Sequence, residues 1–517
     1  MKSSSTTDIV DALVSKGVLT EEEGKLISKG HDTQKKAQPM IKEKDGAFSI
    51  SSPNGKNSIQ LTGRIHFDAK YNNIDPSDLY TSASTISNND SDSKSMGSHF
   101  NMRRARIGIK GTVGGVADYL ILANVQGSSI LDEAFVDFNK YEPLGFKFGK
   151  FKQPLNLEIM TSSNNIDMME RSYVSQNAPE KRFGAMLHGE PKGYTYAGSI
   201  FQNNDSALSM EDHKLSTAGR ATINFGEIMD NKDMIMHVGA NAYSSNYQLQ
   251  TAVTGNTNSD DVLHRGTLFS FQSGGQGVSN AYRAQVGDVA GNAALYAYGT
   301  PSPNASDAHA DNVGLEGILA YKNFKLQGEY SSAFYKATGT GGDSISADVD
   351  TWYAEALWIV SGENYGDAYK KGAMGALKPK NDFNFDTGSG MGLWEIGMRV
   401  DAFDVSNTHL TATAAGSSRF QGAADNLNKN FDTCSVIGDI NTKSTNGAGC
   451  GGGAKSYTAS LKWILNPNLL FKANYTHTSF DNAFAPIDIG ASGNRVAGKL
   501  NTIDHEDLLM FRGQLMF

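Results

Sequence analysis

The sequence predicts an all-β protein: a closed antiparallel transmembrane β-barrel of about sixteen strands, preceded by a short N-terminal α-helical hairpin. Three features carry this reading. Apolar and polar residues alternate from about residue 56 to the end of the chain. Tight turns take turns with long polar inserts. The last residues put Leu509, Phe511, Gly513, Leu515 and Phe517 on one face of a strand that stops on an aromatic.

The alternation is plain in Ile59-Gln60-Leu61-Thr62-Gly63-Arg64-Ile65-His66-Phe67-Asp68-Ala69, where odd positions are apolar or small and even ones polar or charged. It recurs as Ala105, Ile107 and Ile109 against Arg104, Arg106 and Lys110. Further examples are Phe324, Leu326, Gly328 and Tyr330 against Lys325, Gln327 and Glu329, and Phe471, Ala473 and Tyr475 against Lys472, Asn474 and Thr476. A strand of this kind has one face for lipid and one for water. Gly114-Gly115, Lys322-Asn323 and Asn466-Pro467-Asn468 read as tight turns at one end, and 71–99, 247–309 and 407–454 as long loops at the other. Strands are expected near 57–70, 100–112, 116–126, 131–139, 145–151, 183–190, 194–202, 214–226, 234–246, 310–321, 324–336, 349–360, 392–404, 455–465, 469–480 and 505–517. A strand-like stretch within 281–299 leaves eighteen as the alternative. A ring this wide leaves an aqueous channel unless loops fold into it.

Composition removes other classes. The 517 residues include 55 Gly, 12 Pro and 2 Cys, and Lys+Arg 46 against Asp+Glu 55 gives a net charge of −9. Without a long apolar run, a helical membrane bundle is excluded. Two cysteines exclude a disulfide-dense module. No basic block is present to hold nucleic acid.

Residues 1–31 read as a helical hairpin on the periplasmic side. Thr7 or Asp8 caps a first helix carrying Ile9 and Leu13, Gly17 ends it, and Thr20 with Glu23 forms a capping box before Leu26 and Ile27. Residues 32–55 read as a linker and 56–517 as the barrel. Met1 to Ser5 lack the apolar core of a secretory signal, so either the protein is cytosolic or the numbering begins after that signal's removal; the alternating, aromatic-ended C-terminal strand favours the second.

Several blocks resemble the phosphate-selective porin O/P family, in family order from about residue 56 to 517. They are Leu61-Thr62-Gly63-Arg64, Met102-Arg103-Arg104-Ala105-Arg106-Ile107, Leu131-Asp132-Glu133-Ala134 and Phe146-Lys147-Phe148-Gly149-Lys150-Phe151. Thr161-Ser162-Ser163, Met169-Glu170-Arg171, Gly314-Leu315-Glu316-Gly317, Ser361-Gly362-Glu363 and Trp394-Glu395 complete the set. The resemblance implies a homotrimer of sixteen-stranded barrels in the Gram-negative outer membrane, in contact with outer-membrane lipid and lipopolysaccharide, with the third external loop folded inward. It implies a pore constriction and anion-binding site built from Arg64, Arg103, Arg104, Arg106, Lys147 and Arg171, with Asp132 as acidic partner and Ser162 and Ser163 as hydroxyls. Arginine suits such a place because its permanently charged fork hydrogen-bonds oxyanions bidentately.

Four positions depart from the family pattern: Ile159 and Asp118 stand where lysines are expected, and Arg106 and Lys152 where aromatics are. The long loop 247–309 holds only Arg265 and Arg283 as arginines. The expected function is passive diffusion of small anions, phosphate among them, through a basic neck. A non-selective small-solute porin and an adhesin or structural barrel acting through its loops are the alternatives.

No enzyme is expected, since no Ser and His pair carries a third partner. Cys434 and Cys450 are expected to form one loop disulfide, with free thiols or a metal site as alternatives. Asn88-Asn89-Asp90-Ser91-Asp92 reads as a solvated loop because its spacing matches no calcium loop. His66 reads as a lumen-lining residue. No metal and no cofactor is expected.

Overall fold

The computed structural model describes residues 6–27, 29, 38–44, 47–74, 98–126, 130–203, 215–247, 267–277, 282–286, 305–339, 344–412, 418–421, 433–435, 444–445, 451–484 and 503–517. Sixteen antiparallel strands form the wall. They are β1 (Ser58–Asn72), β2 (His99–Val113), β3 (Ala117–Asn124), β4 (Leu131–Phe138), β5 (Gly145–Lys152) and β6 (Lys181–Gly189). Next come β7 (Tyr194–Phe201), β8 (Ser216–Asn224), β9 (Met234–Tyr247), β10 (Ala305–Tyr321) and β11 (Phe324–Gly339). The last are β12 (Ser344–Ile359), β13 (Leu393–Ala412), β14 (Gly452–Asn466), β15 (Leu469–Phe484) and β16 (Ile503–Met516).

Each strand pairs with the next, and β16 returns to β1 from Leu508↔Asn72 to Met516↔Arg64. Two backbone bonds between Gly63 and Phe517 finish the seam, at 2.8 and 3.2 Å. Closure leaves no wall edge unpaired, as backbone in lipid requires. The terminal strand sets the rule for the whole wall: Leu509, Phe511 and Leu515 face out and are exposed, while Met510, Arg512 and Gln514 face in and are buried.

Three findings correct the sequence reading. The stretch within 281–299 supplies Tyr282–Val286, which is no wall strand: it pairs with Thr267–Phe271 and Ser418–Gln421, and Thr433–Ser435 completes an inner four-stranded sheet. That sheet lies in the lumen, because Phe269 packs on Tyr335 (ring centroids 4.8 Å) and Phe271 on Phe403 (4.2 Å), both inward-facing wall residues. The wall therefore has sixteen strands.

Second, not every periplasmic connection is short. Residues 360–392 join β12 to β13 below the barrel, and their first part turns upward into the lumen, where Tyr365, Ala368, Tyr369 and Met374 are buried. Third, part of the supposed linker is ordered: Met40–Lys44 and Ala47–Ser51 form a hairpin that pairs onto the start of β1 through Ser49↔Gln60.

Ahead of it, helices Thr6–Ser15 and 21–27 form the expected hairpin. Glu23 N–H donates to Thr20 Oγ1 at 3.2 Å and Thr20 N–H to Glu23 Oε2 at 2.9 Å. Residues 88–92, Arg265, Cys450 and the side chains of Arg283 and Cys434 lie outside the described residues, so the disulfide and loop expectations that fall on them do too.

Candidate functional site: the lumen constriction

The 28 residues between β5 and β6 enter the barrel and cross it. Asn156 caps the short helix Leu157–Met160, its Oδ1 accepting from Ile159 N–H at 2.9 Å. Glu329 on β11 receives the N–H groups of Leu157 and Glu158 at 2.8 and 2.9 Å, a carboxylate at a helix start.

The far wall then grips the loop with cations. Lys325 Nζ lies 2.7 Å from Asp167, and Lys462 bridges Glu395 (2.5 Å) and Asp167 (3.4 Å). Lys472 donates to the carbonyls of Ile166 and Met168 at 2.5 and 3.2 Å. Arg399 reaches Glu158 and Glu355, both at 2.8 Å. Arg512 holds Asp68 with two 2.7 Å bonds and Glu170 at 2.6 Å. All five cations are buried, so these pairs seal that side instead of serving as a path. Sequence reading missed them as site residues, although each sits in the inward phase of its strand.

The periplasmic insert fills a second sector. Tyr369 Oη lies 2.7 Å from His237 Nδ1, His237 Nε2 2.8 Å from Glu316, and Arg220 donates to both Glu316 and the Gly372 carbonyl. Leu157 of the loop joins the same apolar cluster as Tyr365, Ala368 and Met374, so the loop rests on the insert.

On the β1–β6 side of the loop Arg64, Arg103, Arg106, Ser162, Arg171 and Glu180 keep partial exposure. Two bulges concentrate charge there. The β1–β2 register steps from His66↔Arg104 to Phe67↔Met102, leaving Arg103 as an extra residue, and the β3–β4 register steps from Leu122↔Glu133 to Ala123↔Leu131, leaving Asp132. A bulge breaks the period of two, so chain neighbours reach the same side. Arg103 and Arg104 both point at Glu170, at 2.8 and 3.9 Å, and Asp132 and Glu133 both face Lys181, at 2.6 and 3.5 Å.

Most of the expected site residues converge. Arg64 Nη1 donates to Ser163 Oγ at 2.7 Å. Arg106 pairs with Asp132 at 2.9 Å and with Asn124 at 2.8 Å. Arg171 reaches Glu180 at 3.1 Å and the carbonyls of Glu158 and Thr161 at 3.0 and 3.3 Å. Ser162 shapes the loop turn, its carbonyl accepting from Asn165 and Ile166 N–H.

Lys147 is placed elsewhere. It pairs with Asp137 at 3.0 Å, beside His188, nearer the periplasmic end of β5 and over the Phe135 ring. His66 faces inward as expected but is covered by Asn164 rather than open to the lumen. Asp118 sits at a periplasmic turn, neutralised by Lys140 at 2.5 Å. Lys152 and Ile159 are linked: the lysine donates to the Ile159 and Thr161 carbonyls at 2.6 and 3.0 Å.

Among the described residues no group of His, Cys, Asp or Glu is arranged to hold a metal ion. Outside the wall, the apolar belt is bounded by aromatics, with Phe324, Trp358 and Phe471 below and Tyr71, Tyr330 and Tyr475 above.

The family model for phosphate-selective porin O and P matches residues 81–486. Porin O of Pseudomonas aeruginosa is 26% identical over 390 residues, covering 73% of this chain and 80% of that protein. Among solved structures, an anion-selective porin from Comamonas acidovorans shares 10% identity over 89% of this chain and 100% of that one, with a TM-score of 0.44. The outer membrane channel DcaP of Acinetobacter baumannii shares 10% over 89% and 97%, with a TM-score of 0.41. The chain belongs to the phosphate-selective porin O and P family, and is a channel of the Gram-negative outer membrane rather than an enzyme.

Proposed function

We propose that the channel passes small anions in preference to cations through the one-sided neck between the inward loop and β1–β6. The observation that carries this is Arg64. Its guanidinium meets a neutral hydroxyl, Ser163, and no carboxylate lies within ion-pair distance of it among the described residues. On that side of the loop Arg103, Arg104, Arg106, Lys152, Arg171 and Lys181 outnumber Asp132, Glu133, Glu170 and Glu180, an excess of fixed positive charge. Rings of such charge favour anions.

The same geometry supports a mild bias and not a tight phosphate filter. Arg103, Arg106 and Arg171 each already spend their charge on a carboxylate, which favours the non-selective small-solute reading as the second possibility. Reversal potentials of the purified channel in planar bilayers under a salt gradient decide between them. An anion-favouring sign supports the proposal, and zero or a cation-favouring sign overturns it. Block of chloride current by low phosphate would add phosphate as a preferred solute.

Within this reading Arg64, Arg103, Arg104, Arg106 and Arg171 set the potential, Asp132 and the two serines shape the passage, and Lys147 acts at the periplasmic exit. The working unit is a homotrimer in contact with lipid and lipopolysaccharide, and the helical hairpin ahead of the barrel lies in the periplasm. Crosslinking in native membranes tests the trimer.

A further inference from the structure

The second half of the periplasmic connection behaves unlike the first. Tyr365, Ala368, Tyr369 and Met374 turn into the lumen and are buried, whereas 381–391 fold onto the outside of the wall. Their anchor is a pair of girdle tryptophans. Trp394 and Trp463 are register partners on the outer face of β13 and β14, stacked at 4.9 Å and 15°. Both indole N–H groups donate to one acceptor, the Met391 carbonyl, at 3.0 and 2.9 Å.

The rest of the loop is fastened to the same corner. Phe383 N–H donates to the Leu465 carbonyl at 2.8 Å, and Gly392 N–H to Asn381 at 3.0 Å. Gly390 takes φ +81°, and a Cβ there would overlap the Asp382 carbonyl, so the tight return depends on glycine. The Phe383 ring stands edge-on against Trp463 at 5.4 Å, and Phe385 edge-on against Phe383 at 5.1 Å. The aromatic row of the girdle, from Phe471 through Trp463, thus continues into the loop.

Two of its apolar side chains stand uncovered, Phe385 at 63% and Met391 at 67% exposure, in a loop whose other exposed side chains, such as Asp382, Asn384, Asp386 and Thr387, are polar. These side chains extend the lipid-facing belt at the height where aromatic residues mark the membrane–water boundary.

We propose that 381–391 is a membrane-interface foot, with Phe385 and Met391 dipping into the inner, phospholipid leaflet beside Trp394 and Trp463. The occupant is the phospholipid interface, because the loop is continuous with a surface that already meets lipid. The foot would brace β13 and β14 beside the point where the β12–β13 connection supplies the insert that fills part of the lumen, tying channel shape to the bilayer.

The test places p-benzoylphenylalanine at position 385, and separately at 391, in the full chain reconstituted in vesicles of phosphatidylethanolamine and phosphatidylglycerol. The same residue at Glu22, on the exposed face of the N-terminal hairpin, is the water-facing control. After irradiation, both loop positions are expected to give phospholipid adducts by mass, about fivefold or more above the control. Having two positions keeps the test decisive if one variant fails to fold. Adducts to a second copy of the chain, or lipid adducts no higher than at position 22, overturn the proposal.

Discussion

Lys152 holds its ammonium 2.6 Å from the carbonyl oxygen of Ile159. The resemblance read from the sequence makes both positions departures in opposite senses: a lysine expected at 159 is Ile159, and Lys152 stands where an aromatic is expected. The gained charge does not simply replace the lost one. It caps the C-terminal end of helix Leu157–Met160, where carbonyls lack partners, and so becomes part of the loop's scaffold. Lys152→Met should therefore loosen the loop. The expected loss is roughly 1.5–3 kcal/mol, the range for hydrogen bonds to a charged group. It should be read as a lower thermal midpoint of the folded barrel with noisier single-channel current. An unchanged midpoint and quiet current would contradict the capping role.

Arg64 is the cation expected to matter most for selectivity. Removing one unit of charge a few ångströms from a permeating ion in water changes its energy by about 1 kcal/mol. Arg64→Ala should accordingly lower the anion-to-cation permeability ratio severalfold. Lys147→Ala, whose charge is held by Asp137, should change it far less. Reversal potentials of the two variants in one salt gradient give the comparison, and equal effects would refute the ranking.

The Arg512–Asp68–Glu170 cluster should behave as a buried charge network. Arg512→Met leaves two carboxylates facing each other without their shared cation. Breaking a buried pair typically costs about 3–5 kcal/mol. The double variant Arg512→Met with Asp68→Asn should recover part of that loss, because one stranded charge is removed. Denaturant midpoints in detergent for the two variants test this, and the absence of any recovery would show that the pair is not coupled.

Acid should release the loop only late. Burial by itself pushes the Glu170 carboxyl up, but Arg103, Arg512 and Arg104 outweigh it and hold the group well below the usual carboxylate range. A lowered folded-state pKa means that the stabilisation is complete above the unfolded value and disappears as pH falls through the lowered one. Channel noise should thus stay constant from neutral pH down through the ordinary carboxylate range, about pH 4. Onset of flicker between about pH 6 and 5 would argue that Glu170 is not the clamp.

Fastening of the periplasmic insert is testable in the same recordings. His237→Ala removes the bridge between Tyr369 and Glu316 and leaves Arg220 to hold the insert through Gly372. The sector beside β8–β10 should open, giving a larger conductance with the same or weaker anion preference. Unchanged conductance would mean that apolar packing of Tyr365 and Met374 suffices.

The wall was legible because alternation is a local property. Arg512 between Phe511 and Gly513, or Lys472 between Phe471 and Ala473, declares its face without knowledge of any partner. The same logic placed Arg64 and Arg106 in the lumen. It was less able to place Arg103 with Arg104, or Asp132 with Glu133, since neighbours share a face only through a bulge, and a bulge is a matter of pairing between strands.

Partners lay further beyond reach. Asp68 and Arg512 are 444 residues apart and meet only because the last strand returns to the first. Residues 360–392 carry no period that tells an inward plug from an outward foot. The sequence by itself therefore determined which side of the wall each strand residue faces, through the fixed two-residue repeat of an extended chain. Tertiary structure alone decided which charges are spent on one another and which remain for a passing ion, because neutralisation is set by distances of a few ångströms between segments remote in the chain.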